Sequence, residues 1–267
     1  MSTDNNIDND IIKVENVENV ENVENVENVE NVENVENVEK VEKKIIALAF
    51  QGEKFSSKFL LCWTNTLTVL WQTGKYEFLV ACGDNSSIYH SRLRTLGLNN
   101  EIHKPFNNNK FDYWITIDYN MLFTPQQLID IIESLEEHPV VSGLYKSDDA
   151  VNFFAVKTLD NDYYSKNGSY KFLTQEDLDN WKSEAGSKYM PIDFTGLSFF
   201  GLKHEVIQKL KYPYFNGDIL TIQKEDKTEY KIVTGEDYNF CKNIRDAGYT
   251  IMLNTDLRLG NAVNIVI

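Results

Sequence analysis

The sequence has little of what would mark a secreted, disulfide-rich or membrane-spanning protein. Its 267 residues contain only three cysteines, Cys62, Cys82 and Cys241, which are widely spaced and set among apolar residues. An odd, scattered set of this kind is typical of reduced core thiols and favours a cytoplasmic protein. No apolar stretch is long enough to span a bilayer, and the N-terminus lacks the apolar core of a signal peptide, so we expect no transmembrane segment.

Positive charge is also scarce. The chain has 26 Lys and Arg against 41 Asp and Glu, which gives a net charge of −15 at pH 7. A protein that binds duplex nucleic acid needs a basic face to contact the phosphates. We therefore expect no nucleic acid among the partners.

Much of the negative charge lies in the first 44 residues, which hold four lysines and thirteen acidic residues, a net of −9. From Val14 this segment repeats Val-Glu-Asn eight times and continues with two copies of Val-Glu-Lys. A period of three fits neither a helix nor a strand, so the valines cannot form one buried stripe. We predict a low-complexity tail over residues 1–44, disordered or weakly helical. The alternative is an oligomerisation or tethering segment.

Residues 45–267 alternate apolar strands with amphipathic helices, which is the pattern of an α/β domain. The predicted strands are 45–50, 77–82, 114–117, 140–145, 151–156, 194–200 and 250–253. Helices are predicted between them, near 57–73, from Pro125 through Leu135, and near 204–210 and 234–247. A polar segment over 157–191 holds one short helix from Thr174. The predicted fold class is a mostly parallel, mixed sheet flanked by helices.

Polar residues follow the first three predicted strands. Gln51-Gly52 ends the first, Asp84 follows the second, and Asp118 and Asn120 follow the third. Ligands of open α/β sheets bind beyond the carboxyl ends of the strands, so these groups predict a site at that edge. Asp and Asn are also common turn formers, and this alternative stays open on spacing alone.

Four segments carry a more specific pattern. Residues 115–125 deliver Asp118 and Asn120 from an apolar strand just before a helix, and a short Arg92-bearing helix precedes them. Residues 193–200 form an apolar strand, and residues 235–249 combine Glu236-Asp237 with a later Ala-Gly-Tyr. Together and in this order they resemble the DxD segment and its flanking elements in GT-A-type nucleotide-sugar glycosyltransferases, family-2-like enzymes of viral and microbial type.

This resemblance implies an enzyme that moves a sugar from a UDP- or GDP-sugar to a hydroxyl of a glycan or glycoconjugate. It would act in the cytoplasm, or in the host cytoplasm if the protein is viral. The resemblance places the general base at Asp237, with Glu236 beside it. Because an acceptor hydroxyl is a weak nucleophile, a carboxylate that takes its proton contributes typically ~10²–10⁴-fold in rate.

The resemblance also assigns the binding residues. The nucleotide would contact Phe50, Gln51, Asp84, Arg92 and Asp118. A Mn²⁺ or Mg²⁺ ion, held through oxygen ligands, would lie at Asp118, Asn120 and Asn261 and stabilise the departing diphosphate. The acceptor or its sugar would lie against Asp193 and Gly196. Trp181 is expected there on a different ground, the position and aromatic content of the segment 157–191, which we predict to be an acceptor-side lid.

Two departures from the family pattern bear on the metal. Asn120 replaces the second carboxylate of the DxD motif, and Gly260-Asn261 stands where many relatives have Gly-His. Both predict a weakly bound or dispensable metal, and they leave open a non-catalytic pseudoenzyme that binds sugar nucleotides or glycans. A nucleotidyltransferase is disfavoured, since no Gly-rich loop with a lysine follows the first strand. Asp237 has a structural alternative too, because Thr234 to Asp237 reads as a helix capping box.

Overall fold

A computed structural model describes residues 43–52, 54–82, 110–147, 151–223 and 228–262. The chain divides into two compact units, Met1–Lys40 and Val41–Ile267. The predicted repeat tail over residues 1–44 therefore lies almost wholly outside the described residues, and its conformation stays a prediction. The architecture that follows belongs to the second unit.

Thirteen strands and six helices are described in this unit. The strands are β1 Lys44–Gln51, β2 Tyr76–Cys82, β3 Tyr113–Asp118, β4 Met121–Leu122, β5 Val140–Leu144, β6 Ala155–Val156, β7 Tyr189–Ile192, β8 Phe194–Thr195, β9 Phe199–Lys203, β10 Ile219–Gln223, β11 Glu229–Val233, β12 Ile251–Arg258 and β13 Gly260–Asn261. The helices are α1 Ser57–Thr73, α2 Pro125–Glu137, α3 Asn161–Asn167, α4 Gln175–Ala185, α5 His204–Ile207 and α6 Glu236–Asp246.

Seven strands form one sheet in the order β2-β1-β3-β9-β5-β12-β7. β1 is parallel to β2 and β3, and β12 is parallel to β5. β9 lies antiparallel between β3 and β5, and β7 is an antiparallel edge strand against β12. Every strand except β9 and β7 therefore runs in the same direction. This confirms the predicted α/β class with a mixed, mostly parallel sheet flanked by helices.

β1 shows how the sheet divides the core. Ile46, Leu48 and Phe50 pack with the apolar residues of α1 and α2 on one face. Ala47 and Ala49 point to the other face, whose cluster contains the apolar residues of α5 and α6. This two-residue alternation is what a strand covered on both faces by helices requires.

Several helix boundaries follow from local sequence signals. Thr124 and Gln127 form the predicted capping box at the start of α2, with Pro125 in the first turn. α4 begins after Thr174, as predicted, with a second capping box to Asp177. α1 ends at Gly74, whose φ of 64° is a left-handed conformation that glycine adopts without strain. No helix in the described ranges is long and apolar enough to cross a membrane.

The structure differs from the sequence-based prediction in three segments. The predicted strand over residues 194–200 is interrupted: β8 and β9 are separated by Gly196, Leu197 and Ser198. β10 and β11, which form an antiparallel hairpin, were not predicted. The predicted strand over residues 151–156 is also mostly irregular, with regular pairing only in β6, Ala155–Val156.

Of the predicted core thiols, Cys241 is buried and Cys62 is half-buried, and neither forms a disulfide among the described residues. The side chain of Cys82 lies outside the described ones.

Candidate active site

The carboxyl ends of β1 and β3 meet, as the spacing of polar residues predicted. Gln51 and Asp118 are paired in the parallel register, and Tyr119 N–H donates to the Gln51 carbonyl at 2.7 Å. Gly52 has a φ of 132°, and a Cβ there would lie 2.5 Å from the Cβ of Tyr119. Glycine is therefore required after β1 both by its backbone conformation and by this close approach. Asp84 and Arg92 lie outside the described residues.

Phe50 and Gln51 occupy this edge in different ways. The Phe50 ring is buried edge-on against Phe59 and Trp63 of α1, with centroids 5.6 and 4.6 Å away. It packs in the core rather than at the surface of the site. The Gln51 side chain is fully buried, and its Nε2 donates to Thr116 Oγ1 at 3.2 Å.

Asp118 is anchored at the end of β3 by Ser198. Its side chain is 9% exposed and accepts a hydrogen bond from Ser198 Oγ at 2.7 Å. The Asp118 N–H also donates to the Ser198 carbonyl at 2.9 Å. A nearly buried carboxylate needs such partners, since a charge without them is costly to bury. Asp118 is therefore held in a fixed position with a small solvent-facing fraction.

The turn between β8 and β9 connects Asp118 to Asp237. Next to Ser198, the Leu197 N–H donates to Asp237 Oδ2 at 3.3 Å, and the Ser198 N–H donates to Tyr145 Oη at 3.3 Å. A Cβ added to Gly196 would lie 2.1 Å from that same Tyr145 oxygen. Three consecutive residues thus bring together the predicted nucleotide carboxylate, the predicted base and a tyrosine hydroxyl.

Tyr145 is the member of this site that sequence reasoning missed. Burial raises the pKa of its phenol, and the negative charges of Asp237 and then Asp118 raise it further. The hydroxyl therefore stays protonated at physiological pH, in the field of both carboxylates. Tyr145 directly follows β5, so its position at a strand end was a usable signal, but its aromatic ring made it look like part of the core.

Three amide side chains, those of Gln51, Asn120 and Asn261, belong to the segments next to Asp118. β13 pairs with β4 so that Asn261 faces Met121, and the Ala262 N–H donates to the Asn120 carbonyl at 2.8 Å. The side-chain oxygens of Gln51, Asn120 and Asn261 are shielded from solvent, and none has a hydrogen-bond partner among the described residues. Shielded oxygens without donors are suited to a cation, because hard divalent ions prefer oxygen ligands.

The described ranges hold no group of three or more His, Cys, Asp or Glu side chains that could bind a metal ion. A Mn²⁺ or Mg²⁺ ion at this edge would therefore have one carboxylate, Asp118, and otherwise the neutral oxygens of Asn120 and Asn261. This donor set fits a hard cation and agrees with the weak affinity expected from the two asparagines. The metal itself stays a prediction.

The N-terminus of α6 does not contain the capping box that was the structural alternative for Asp237. Gly235 is the N-cap, and no side chain caps the helix. Thr234 Oγ1 instead bonds with the Asp218 carbonyl and the Asn239 side chain. The capping interpretation of Asp237 is therefore wrong. Glu236 and Asp237 both lie in the first turn, where the helix dipole favours negative charge by roughly 0.3–1 kcal/mol each.

Two of the predicted acceptor residues lie away from this turn. Asp193 accepts from the Leu159 N–H at 2.9 Å and forms an ion pair with Arg245, 3.5 Å apart. Arg245 is eight residues after Asp237 on α6, which places the ion pair about 12 Å along the helix axis. Trp181 packs against the core with Lys157 Nζ 5.1 Å above its ring. Of the three, the structure brings only Gly196 to Asp237 and Tyr145.

Comparison with known proteins yields a structural similarity and no sequence match. No family model and no curated protein sequence matches the chain. Among solved structures it is similar to the crystal structure of A197 from STIV, with 13% identity and a TM-score of 0.47, over 84% of this chain and 96% of that one. This similarity is too distant to assign an activity.

Proposed function

We propose that the chain is a glycosyltransferase, which moves a sugar from a nucleoside-diphosphate sugar to a hydroxyl of a glycan or glycoconjugate. The observation that carries this proposal is the convergence of Asp118 and Asp237 on the turn that follows β8. These two carboxylates have different surroundings. Asp118 is nearly buried beside shielded oxygens and Asp237 lies at a helix N-terminus, so the two can serve different roles. Their residues also match the motif positions described above.

Asp237 acts on the acceptor in this proposal. Its carboxylate takes the proton of the acceptor hydroxyl as that oxygen forms a bond to the anomeric carbon of the donor. The bond from the anomeric carbon to the diphosphate oxygen breaks, and its electron pair leaves with the nucleoside diphosphate. Leu197 N–H, bonded to Asp237 Oδ2, fixes the orientation of the carboxylate.

Asp118 acts on the donor side. Together with Asn120 and Asn261 it would hold a Mn²⁺ or Mg²⁺ ion, which stabilises the negative charge that develops on the leaving diphosphate. Ser198 keeps the carboxylate in place through its hydroxyl. Tyr145 provides a protonated hydroxyl that accepts from the Ser198 N–H, on the turn that contacts both carboxylates.

The second candidate is a pseudoenzyme that binds sugar nucleotides or glycans without transferring sugar. Asn120 and Asn261 favour it, because each supplies a neutral oxygen where the family pattern has a carboxylate or an imidazole. The placement of Asp237 favours transfer, since a carboxylate oriented by Leu197 N–H on the same turn as Asp118 suits proton transfer from an acceptor. The two candidates predict different results in a donor assay.

The test is a screen of UDP- and GDP-sugars with purified full-length protein, with and without Mn²⁺. We expect one donor to stabilise the protein thermally, with a gain of roughly 2.7 kcal/mol at a concentration of 100 Kd. The same donor should be hydrolysed slowly, and faster when Mn²⁺ is present. Stabilisation without turnover of any donor would favour the pseudoenzyme, and no stabilisation by any donor would contradict both.

A further inference from the structure

A cavity of about 280 Å³ opens next to the N-terminus of α6. Its walls come from three places in the chain: the segment from α3 to residue 172, the β10–β11 hairpin, and the start of α6 at Gly235 and Tyr238. Phe194, two residues before Gly196, also lines it. Asp237 is not among the lining residues, but it directly precedes Tyr238, which is, in the first turns of α6.

The lining is aromatic and uncharged. Six aromatic side chains contribute to it, and not one of the residues that line it carries a charge. Phe154 and Phe172 are stacked, with centroids 5.4 Å apart, and the rings of Tyr170 and Tyr238 are parallel within 9° at 6.1 Å. Aromatic faces attract the partly positive C–H bonds of a saturated ring, as they attract cations and ring edges.

The chemistry of these walls restricts the ligand. A phosphate or carboxylate would lose its hydration here without gaining a cationic partner, which is costly. A purely apolar ligand would offer no hydrogen-bonding group to Tyr164 and Ser169, two hydroxyl residues that also line the cavity. A neutral sugar ring has both an apolar C–H face and a rim of hydroxyls, and so matches the aromatic walls and the polar groups together.

The size of the cavity restricts the ligand further. Sites for drug-sized molecules are roughly 300–1,000 Å³, and this cavity is slightly smaller. It has room for the terminal part of a larger molecule. We infer that this cavity binds the terminal, uncharged sugar ring of the acceptor and places its hydroxyl toward Asp237. The inference rests on the proposed function, and it excludes acceptors that end in a phosphorylated or acidic sugar.

The experiment measures binding of methyl hexosides, their 6-phosphates and the corresponding uronic acids by saturation-transfer NMR on the full chain. Ile232→Trp fills the cavity from β11, and Leu220→Trp fills it from the facing position on β10, since these two residues are a register pair that lines the cavity. Ile219→Trp is the matched control, because Ile219 is exposed on the same hairpin and does not line the cavity.

We expect at least one neutral hexoside to bind, and each filling variant to weaken it at least about tenfold while the control leaves it unchanged. The charged analogues should bind at least about tenfold more weakly than the neutral ones. The affinity for nucleoside diphosphate is measured on the same samples as a control for folding. It should stay at the wild-type value in each variant. Equal binding of charged and neutral analogues, wild-type binding by both filling variants, or no hexoside binding would overturn the assignment.

The outcome separates this inference from the proposed function. If hexosides bind in the cavity but no nucleotide sugar is turned over, the transferase proposal fails and the sugar site stands. If sugar is transferred but the filling variants transfer normally to a neutral acceptor, the cavity assignment fails and the transferase proposal stands.

Discussion

The Ser198 N–H donates to the Tyr145 hydroxyl at 3.3 Å, and through this bond one tyrosine links the surroundings of Asp118 and Asp237. Ser198 also donates from its hydroxyl to Asp118, while the neighbouring Leu197 N–H donates to Asp237. The two predicted acidic groups are thus neighbours of the same three-residue turn, although they are 119 positions apart in the chain. Variants of this turn should affect both groups.

Removing the Tyr145 hydroxyl should change how stability depends on pH. Because the folded pKa is raised above the ordinary value of 10.0, the folded state keeps a proton that the unfolded state releases above about pH 10. The free energy of unfolding should therefore not depend on this group below pH 10 and should fall as the pH rises beyond it. In Tyr145→Phe that fall should be shallower.

Urea unfolding of both proteins between pH 7 and pH 11 measures the effect. At pH 7 the variant should be less stable by roughly 1–3 kcal/mol, because Ser198 N–H loses its acceptor. Tyr212→Phe, at an exposed tyrosine, is the control. An identical alkaline slope in wild type and Tyr145→Phe would show that the buried phenol does not carry this linkage.

Gly196→Ala should disturb the site by overpacking. The new Cβ would lie 2.1 Å from Tyr145 Oη and 2.4 Å from Phe154 Cδ1, so the tyrosine must move. Overpacking of this kind costs typically 1–3 kcal/mol, and the shift of Tyr145 should lower donor turnover at the same time.

Gly217→Ala is the matched control, because its Cβ would meet only ordinary contacts at 3.5 Å or more. Thermal unfolding and donor hydrolysis of both variants measure the two effects, and equal results for them would contradict the packing argument.

Much of the fold was predictable because its signals are local. Thr124-Pro125 and Thr174 mark helix starts through side-chain bonds made within four residues, and Gly74 marks a helix end through its own φ. In β1, successive residues likewise face opposite sides of the sheet, which is a property of any strand. The break at Gly196 was missed, because the apolar residues on both sides of it indicate a strand, and a glycine within a strand signals an interruption without fixing it. What interrupts it is a set of contacts with Tyr145, Phe154 and Asp237, all distant in sequence.

The candidate site was predictable only in part, where its residues lie at the ends of neighbouring strands. Asp118 and Gln51 could be placed together, since parallel neighbouring strands end at one edge. Asp237 could be assigned only by resemblance, and spacing alone favoured the capping box that the structure lacks. The hairpin of β10 and β11 was missed because its polar and apolar residues alternate only briefly, and with it the cavity next to α6 was missed as well.

Deleting residues 1–42 should leave the α/β unit intact. β1 begins at Lys44, and the repeat has no periodicity that would give it a buried face. We expect the truncated protein to unfold at the same temperature within about 2 °C, since a change of 1 kcal/mol in stability would shift the unfolding temperature of a unit of this size by roughly 2–4 °C. Donor turnover should stay at the wild-type rate. A clear loss of stability would show that the repeat packs on the α/β unit.

Asp118→Asn should weaken nucleoside-diphosphate binding and leave the fold in place. Asn keeps an oxygen that can accept from Ser198 Oγ, but it removes the carboxylate of the predicted metal site. Calorimetry with UDP and GDP in the presence of Mn²⁺ should show affinity reduced at least about tenfold. Asp256→Asn, at an exposed carboxylate paired with Lys182, is the control and should bind normally. Wild-type affinity in Asp118→Asn would place the nucleotide elsewhere.

Asp237→Asn separates proton transfer from structure at the N-terminus of α6. Asn can still accept from the Leu197 N–H, which now donates to Asp237 Oδ2 at 3.3 Å, so the helix and donor binding should be preserved. It cannot take a proton from the acceptor, so transfer should fall by roughly 10²–10⁴-fold while nucleoside-diphosphate affinity stays unchanged.

Glu236→Gln is the matched control for Asp237→Asn, since it removes the neighbouring charge from the same helical turn. It should lose only the modest helix-dipole stabilisation, roughly 0.3–1 kcal/mol, and keep most of the transfer rate. Initial rates with saturating donor, together with thermal unfolding of both variants, separate the two effects. Normal transfer by Asp237→Asn and impaired transfer by Glu236→Gln would move the base to Glu236. Equal loss of stability and of activity in Asp237→Asn would make the carboxylate a structural element of the turn at Leu197 rather than a base.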